Sequence, residues 1–142
     1  MMEKRSNALG RIIDLFAQAR QTVDVCVFTI TDNRIAEAIL RAHERGVRVR
    51  VVSDDDKAFD KGSDIGHLRS RGVECREDNT QHHMHHKFAI FDHELLLTGS
   101  YNWTRSASLN NEENFIISGD PRLLKAFARM FSKLWEDFGR NA

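Results

Sequence analysis

The sequence predicts one α/β domain with a mixed, largely parallel central sheet and helices on both faces, and three observations carry that prediction. Val23–Phe28 and Val47–Val52 read as β-branched strands flanking a helical stretch opened by Asp32, which is the strand–helix–strand unit of a parallel sheet. Later strand-like segments, His85–Phe91 and Glu94–Thr98, are joined tightly through Asp92-His93. At 142 residues with 41% hydrophobic side chains, no linker and no internal repeat, the chain suits one core spanning 1–142.

Each element has its own local reason. Ser6–Arg20 sets Leu9, Ile12, Ile13 and Phe16 at helical spacing. Val23, Val25 and Val27 alternate along the first strand. Asp32 caps a helix that turns Ile35, Ala38, Ile39 and Ala42 inward, and Gly46 follows its end. Asp54-Asp55-Asp56 and Lys57–Ser63 read as a solvated loop, followed by a helix over Asp64–Ser70 and a strand over Val73–Arg76. Glu113–Ser118 reads as the last inner strand. Asp120 and Pro121 open a terminal helix with an apolar stripe of Leu124, Phe127, Phe131, Leu134, Trp135 and Phe138.

Charge narrows the function classes. Twenty-one basic and 21 acidic side chains cancel, which argues against a binder working through bulk positive charge. No apolar run approaches the roughly 18–20 residues a membrane span needs, and the first residues lack an apolar signal core. Two cysteines make no disulfide framework. These features together lead to an expectation of a cytoplasmic protein without stable membrane association.

The chemistry concentrates in Met84-His85-His86-Lys87-Phe88-Ala89-Ile90-Phe91-Asp92 and Gly99-Ser100-Tyr101-Asn102-Trp103-Thr104. On a strand, His85 and Lys87 share a face and His86 turns away. An imidazole beside an ammonium suits a phosphate: the lysine neutralises phosphoryl charge, and the histidine attacks phosphorus or passes a proton. Ser100 and Asn102 can donate to phosphoryl oxygens, and Gly99 lets the backbone come close. Glu113 is a carboxylate able to hold the other nitrogen of His85, fixing its tautomer.

His85-x-Lys87, four residues, Asp92, then six residues and Gly99-Ser100-x-Asn102 resembles the HKD motif of the phospholipase D superfamily. Six specified residue types would coincide by chance on the order of once in 10⁸ placements. The resemblance runs from the Val23–Phe28 strand to the terminal helix. It is strongest toward the small bacterial endonucleases and the mitochondrial cardiolipin hydrolase/Zucchini branch. The membrane anchor and zinc-finger insertion of the latter branch, and the signal peptide of the secreted nucleases, do not appear in this sequence.

The resemblance implies a metal-independent phosphodiesterase needing no cofactor. Its reaction uses two histidines where this chain has one motif, so it implies a homodimer sharing one site. One His85 would form a phosphohistidine while the other protonates the leaving oxygen. Lys87, Ser100 and Asn102 would hold the phosphoryl oxygens, Glu113 would orient His85, and Asp92 would fix neighbouring side chains by hydrogen bonds. Nucleic acid, single-stranded, is the substrate this reading favours; a cardiolipin-like phospholipid is the alternative.

Four of the seven histidines sit within positions 82–86, which also suits a transition metal. Alternation puts His83 and His85 on one face and His82 and His86 on the other, so the four do not converge and no metal is expected. Cys26 and Cys75 read as small buried apolar residues. Tyr101 and Trp103 read as packing beneath the site, with a base-stacking platform as the other reading.

Overall fold

The computed structural model describes residues 8–27, 30, 32–53, 64–77, 87–99 and 115–140. Helix α1 (Ala8–Gln18) leads into β1 (Thr22–Val27), α2 (Asn33–Glu44), β2 (Arg48–Ser53), α3 (Ile65–Ser70) and β3 (Glu74–Glu77). The hairpin of β4 (Phe88–Phe91) and β5 (Leu95–Gly99) follows, then β6 (Phe115–Ser118) and the long α4 (Pro121–Arg140). The six strands form one mixed sheet in the order β3-β2-β1-β4-β5-β6. Its parallel part is β1–β2 and β2–β3, and its other three pairings are antiparallel. The hairpin accounts for that split, because the short loop Asp92–Glu94 permits only antiparallel neighbours.

The two faces are built differently. Helices α1, α2 and α3 cover one face, where Ile12, Phe16, Ile35, Ile39 and Leu68 pack on Val23, Val25, Val49, Val51, Ala89 and Leu97. Asp32 caps α2 as its position predicts, accepting from the Arg34 N–H at 2.9 Å. Gly46 follows α2 with φ +96°, a left-handed conformation that favours glycine.

Among the described residues, helix α4 covers the opposite face, over Cys26, Val52, Phe88, Ile90 and Leu96. Phe131 and Trp135 are buried, whereas Leu124, Phe127 and Leu134 are only partly so. The side chain of Phe138 lies outside the described residues. Asp24 is 2% exposed and takes Arg50 in a bidentate pair at 2.9 and 3.0 Å. The Arg50 guanidinium lies 5.0 Å from the Phe131 ring centroid. Arg76 stacks 3.9 Å over Trp135 and donates to its backbone carbonyl. Cationic groups over aromatic faces thus fix the crossing of α4 on β2 and β3. Cys26 and Cys75 are buried thiols, and burial pushes Cys75 up to about 12, far from thiolate chemistry.

Candidate active site

Lys87 stands immediately before β4, and the register of the sheet fixes which end of the molecule it occupies. Phe88 pairs with Cys26 near the end of β1 and with Thr98 near the end of β5. Val27 pairs with Ser53, Ser53 with Glu77, and Gly99 with Phe115. Lys87, Gly99 and Phe115 therefore gather at the carboxyl-terminal end of the parallel strands. Strand order reverses there, since β2 lies on one side of β1 and β4 on the other. Such a reversal opens a crevice at the strand ends, where α/β sheets place their ligands.

That arrangement bears directly on the predicted site. Lys87 follows His85 by two residues, Gly99 precedes Ser100, and Phe115 follows Glu113 by two. His85, Ser100, Asn102 and Glu113 themselves lie outside the described residues, as do His82, His83, His86, Tyr101, Trp103 and Asp54–Asp56. The backbone carbonyl of Lys87 accepts from the Gly99 N–H and the Thr98 hydroxyl, each at 3.4 Å. These long bonds lay the lysine segment beside the one leading to Ser100. Thr98 was no sequence candidate; its only signal is its place two residues before Ser100.

Arg34 is another residue that sequence reasoning passed over. It starts α2 just after β1 leaves the same end of the sheet, and it grips Asp32 through two side-chain bonds of 3.1 Å. Asp64, at the start of α3, has its carboxyl raised above the ordinary range by burial and by the Asp32 charge, against the lowering pull of His67.

Asp92 sits elsewhere. It opens the hairpin turn five residues beyond Lys87, about 15 Å away at the rise of a strand. Its carboxylate accepts from the backbone N–H groups of Arg20 at 3.0 and 3.1 Å, Gln21 at 2.7 Å and Thr22 at 3.1 Å. Partial burial works to raise its pKa, but the donors from Gln21, Thr22 and Arg20 outweigh it and hold the carboxyl below the ordinary range. The expectation that Asp92 fixes neighbouring side chains is corrected: it fixes backbone amides, at the end of the sheet opposite Lys87. Asp92 and His93 have φ of +57° and +58°, and the Glu94 N–H closes the turn on the Phe91 carbonyl at 2.9 Å. Two positive φ angles make this the primed hairpin turn whose twist matches the strands.

The family model described as "Cardiolipin synthase, PLD-like domain" matches residues 12–135. The mitochondrial cardiolipin hydrolase of Chlamydomonas reinhardtii is 49% identical over 131 residues, 92% of this chain and 59% of that protein. The Homo sapiens protein of the same name is 42% identical over 132 residues, 93% of this chain and 52% of its own length. The chain therefore spans less than two thirds of these curated relatives. Among solved structures, Nuc of Salmonella typhimurium, a phospholipase D family member, superposes with a TM-score of 0.80 at 25% identity, covering 89% of this chain and 85% of its own. NucT of Helicobacter pylori gives 0.82 at 27%, covering 91% and 87%. The relatives' names overturn the cytoplasmic placement expected from the sequence, since they carry a mitochondrial setting.

Proposed function

From the premise that the chain belongs to the phospholipase D superfamily, we propose that it hydrolyses phosphodiesters, with a cardiolipin-like phospholipid as substrate. The substrate rests on one observation: relatives 40–49% identical over more than nine-tenths of this chain are named mitochondrial cardiolipin hydrolase. This reverses the preference for nucleic acid drawn from the sequence. A single-stranded nucleic acid substrate is the second reading, favoured by the motif's resemblance to the bacterial endonuclease branch and by the fold likeness to Nuc and NucT.

The proposed chemistry is the one that resemblance to the superfamily implies for these residues. His85 of one copy attacks phosphorus and forms a phosphohistidine that keeps one ester; His85 of a second copy gives its proton to the leaving oxygen, then takes one from the water that releases the phosphomonoester. Two facing imidazoles beside two Lys87 ammonium groups are not both charged cheaply, so their proton affinities split into one base and one acid. Lys87, Ser100 and Asn102 hold the charge that grows on the phosphoryl oxygens. Glu113 orients His85. No step uses a metal or cofactor.

The test is a side-by-side assay, in EDTA, on cardiolipin vesicles, single-stranded DNA and single-stranded RNA, with His85→Asn as control. Conversion of cardiolipin to phosphatidic acid and phosphatidylglycerol by the wild type alone supports the proposal. Cleavage of an oligonucleotide with intact cardiolipin moves it to the second reading. Activity lost in EDTA and restored by a divalent ion overturns the histidine mechanism.

A further inference from the structure

We infer that Thr98 is a positioning residue of the site: its hydroxyl holds the peptide that follows Lys87 and so sets where the lysine ammonium points. This deepens the phosphodiesterase reading and rests on the place that reading gives Lys87.

The hairpin is bonded unevenly along its length. At the turn the Glu94 N–H reaches the Phe91 carbonyl at 2.9 Å. At the site end the Gly99 N–H reaches the Lys87 carbonyl at only 3.4 Å, beyond the ordinary range for such a bond and therefore weak. Fraying is expected at that point. The pairing of β4 with β1 stops at Phe88–Cys26 and its pairing with β5 at Phe88–Thr98, so Lys87 lies just outside both. The Thr98 hydroxyl donates to the same carbonyl at 3.4 Å. Two long bonds on one oxygen stand where one short ladder bond would be, and both come from β5.

Packing does not ask for that hydroxyl. Thr98 lies opposite Phe88 on one side and Ile116 on the other, so it shares the α4 face with two apolar side chains. Valine has nearly threonine's shape, suits a strand as well, and would extend the apolar pattern that Phe88 and Leu96 begin on that face. Among the described residues, the hydroxyl gives its proton to one group alone, the Lys87 carbonyl. Its seat is firm, since β5 is bonded on both sides, to β4 and to β6.

The lysine is the lever. The carbonyl that Thr98 holds sets the ψ angle of Lys87, and the ammonium stands four methylenes beyond the same Cα. A group that meets growing phosphoryl charge has to be held within about 0.5 Å and 10–20° of its productive place. A peptide free to rock by that angle loses transition-state stabilisation while the substrate still binds. The loss should therefore fall on kcat and spare KM.

Two pairs of side chains that differ in the hydroxyl test this on the full chain: wild type against Thr98→Val, and Thr98→Ser against Thr98→Ala. Turnover of soluble bis(p-nitrophenyl) phosphate gives kcat and KM, calorimetry gives the melting temperature, and Lys87→Ala serves as control. The hydroxyl-free member of each pair should lose about three- to tenfold in kcat, the worth of one hydrogen bond, with KM within about twofold. Melting temperature should follow shape instead: Thr98→Val at or above wild type, Thr98→Ser and Thr98→Ala below it. Equal kcat within either pair overturns the inference, as does a kcat that falls in step with melting temperature. If Thr98→Val does not fold, the serine–alanine pair decides alone. A dead Lys87→Ala beside an unaltered Thr98→Val removes Thr98 and leaves the site standing. Wild-type turnover by Lys87→Ala removes the reading of the lysine, and the inference with it.

Discussion

The two ends of β4 carry residues of one motif and do opposite work. At one end Lys87 stands where the strand order reverses, two residues after His85 in the sequence. At the other, Asp92 opens the hairpin turn and ties the entry of β1 through three backbone N–H groups. A short motif in sequence is a whole strand in space, about 15 Å at strand rise. The motif therefore joins chemistry at one end of the sheet to the fixed geometry that presents it. Changes at the Lys87 end should remove turnover and spare stability; changes at the Asp92 end should do the reverse.

The largest expected effect is at the site end. His85→Asn removes nucleophile and acid together, so turnover should vanish with the melting temperature within about 2 °C of wild type. Glu113→Gln should cost roughly 10–100-fold in kcat, the loss of an orienting partner. Full activity in that variant beside a dead His85→Asn would remove Glu113 from its role. A shared site gives a smaller and more diagnostic number. Mixing wild type with an equal amount of His85→Asn, with subunit exchange shown by tags, should halve the activity, since half of the wild-type chains then sit in dead pairs. No loss despite exchange would break the dimer reading.

At the far end Asp92→Ala should destabilise by about 2–3 kcal/mol, the cost of leaving three amide donors without their charged acceptor. The melting temperature should fall by about 6–10 °C while kcat per folded molecule holds. Asp92→Asn, which keeps an acceptor and tolerates the left-handed backbone, should recover part of that. The pH dependence has a definite sign. The folded carboxyl lies below its ordinary value. Its contribution is complete above the unfolded value near 3.9 and drains away as pH falls through the lowered folded value. Asp92→Asn should therefore flatten the acid limb of a stability curve and leave neutral pH less stable than wild type. An unchanged acid limb would remove Asp92 from its anchoring role.

The same contrast explains what the sequence revealed and what it withheld. Helix α2, its Asp32 cap and the tight Asp92-His93 turn were legible because each depends on neighbours within a few residues. The Asp24–Arg50 pair was not, because its partners meet only through the β1–β2 register, 26 positions apart. The amides that Asp92 binds lie 70 to 72 positions away, so the motif gave the residue and not its duty. In α4 the apolar period marked Leu124, Phe127 and Leu134 for the core. It did not say that they would be only partly covered there, beside the fully buried Phe131. The compartment failed for another reason: composition carries no address.

The smallest expected effect is the cleanest test that the far end is structural alone. His93 is exposed and holds φ of +58°, where a side chain crowds the following carbonyl and only glycine, asparagine and aspartate sit easily. His93→Gly removes that crowding in the folded chain and adds freedom to the unfolded one, which offsets part of the gain. A net stabilisation of about 0.5–1 kcal/mol is expected, a rise of roughly 2–3 °C in melting temperature. Asp92 stays in place, so the three amides of the β1 entry stay bound, and turnover on any substrate should equal wild type. Paired with Asp92→Ala, the gain should disappear, because the turn then has no anchor to be held against. A gain surviving that pairing would show the turn acting independently of its anchor. Turnover that changed with His93 would carry the chemistry to the wrong end of the strand and break the division of labour along β4.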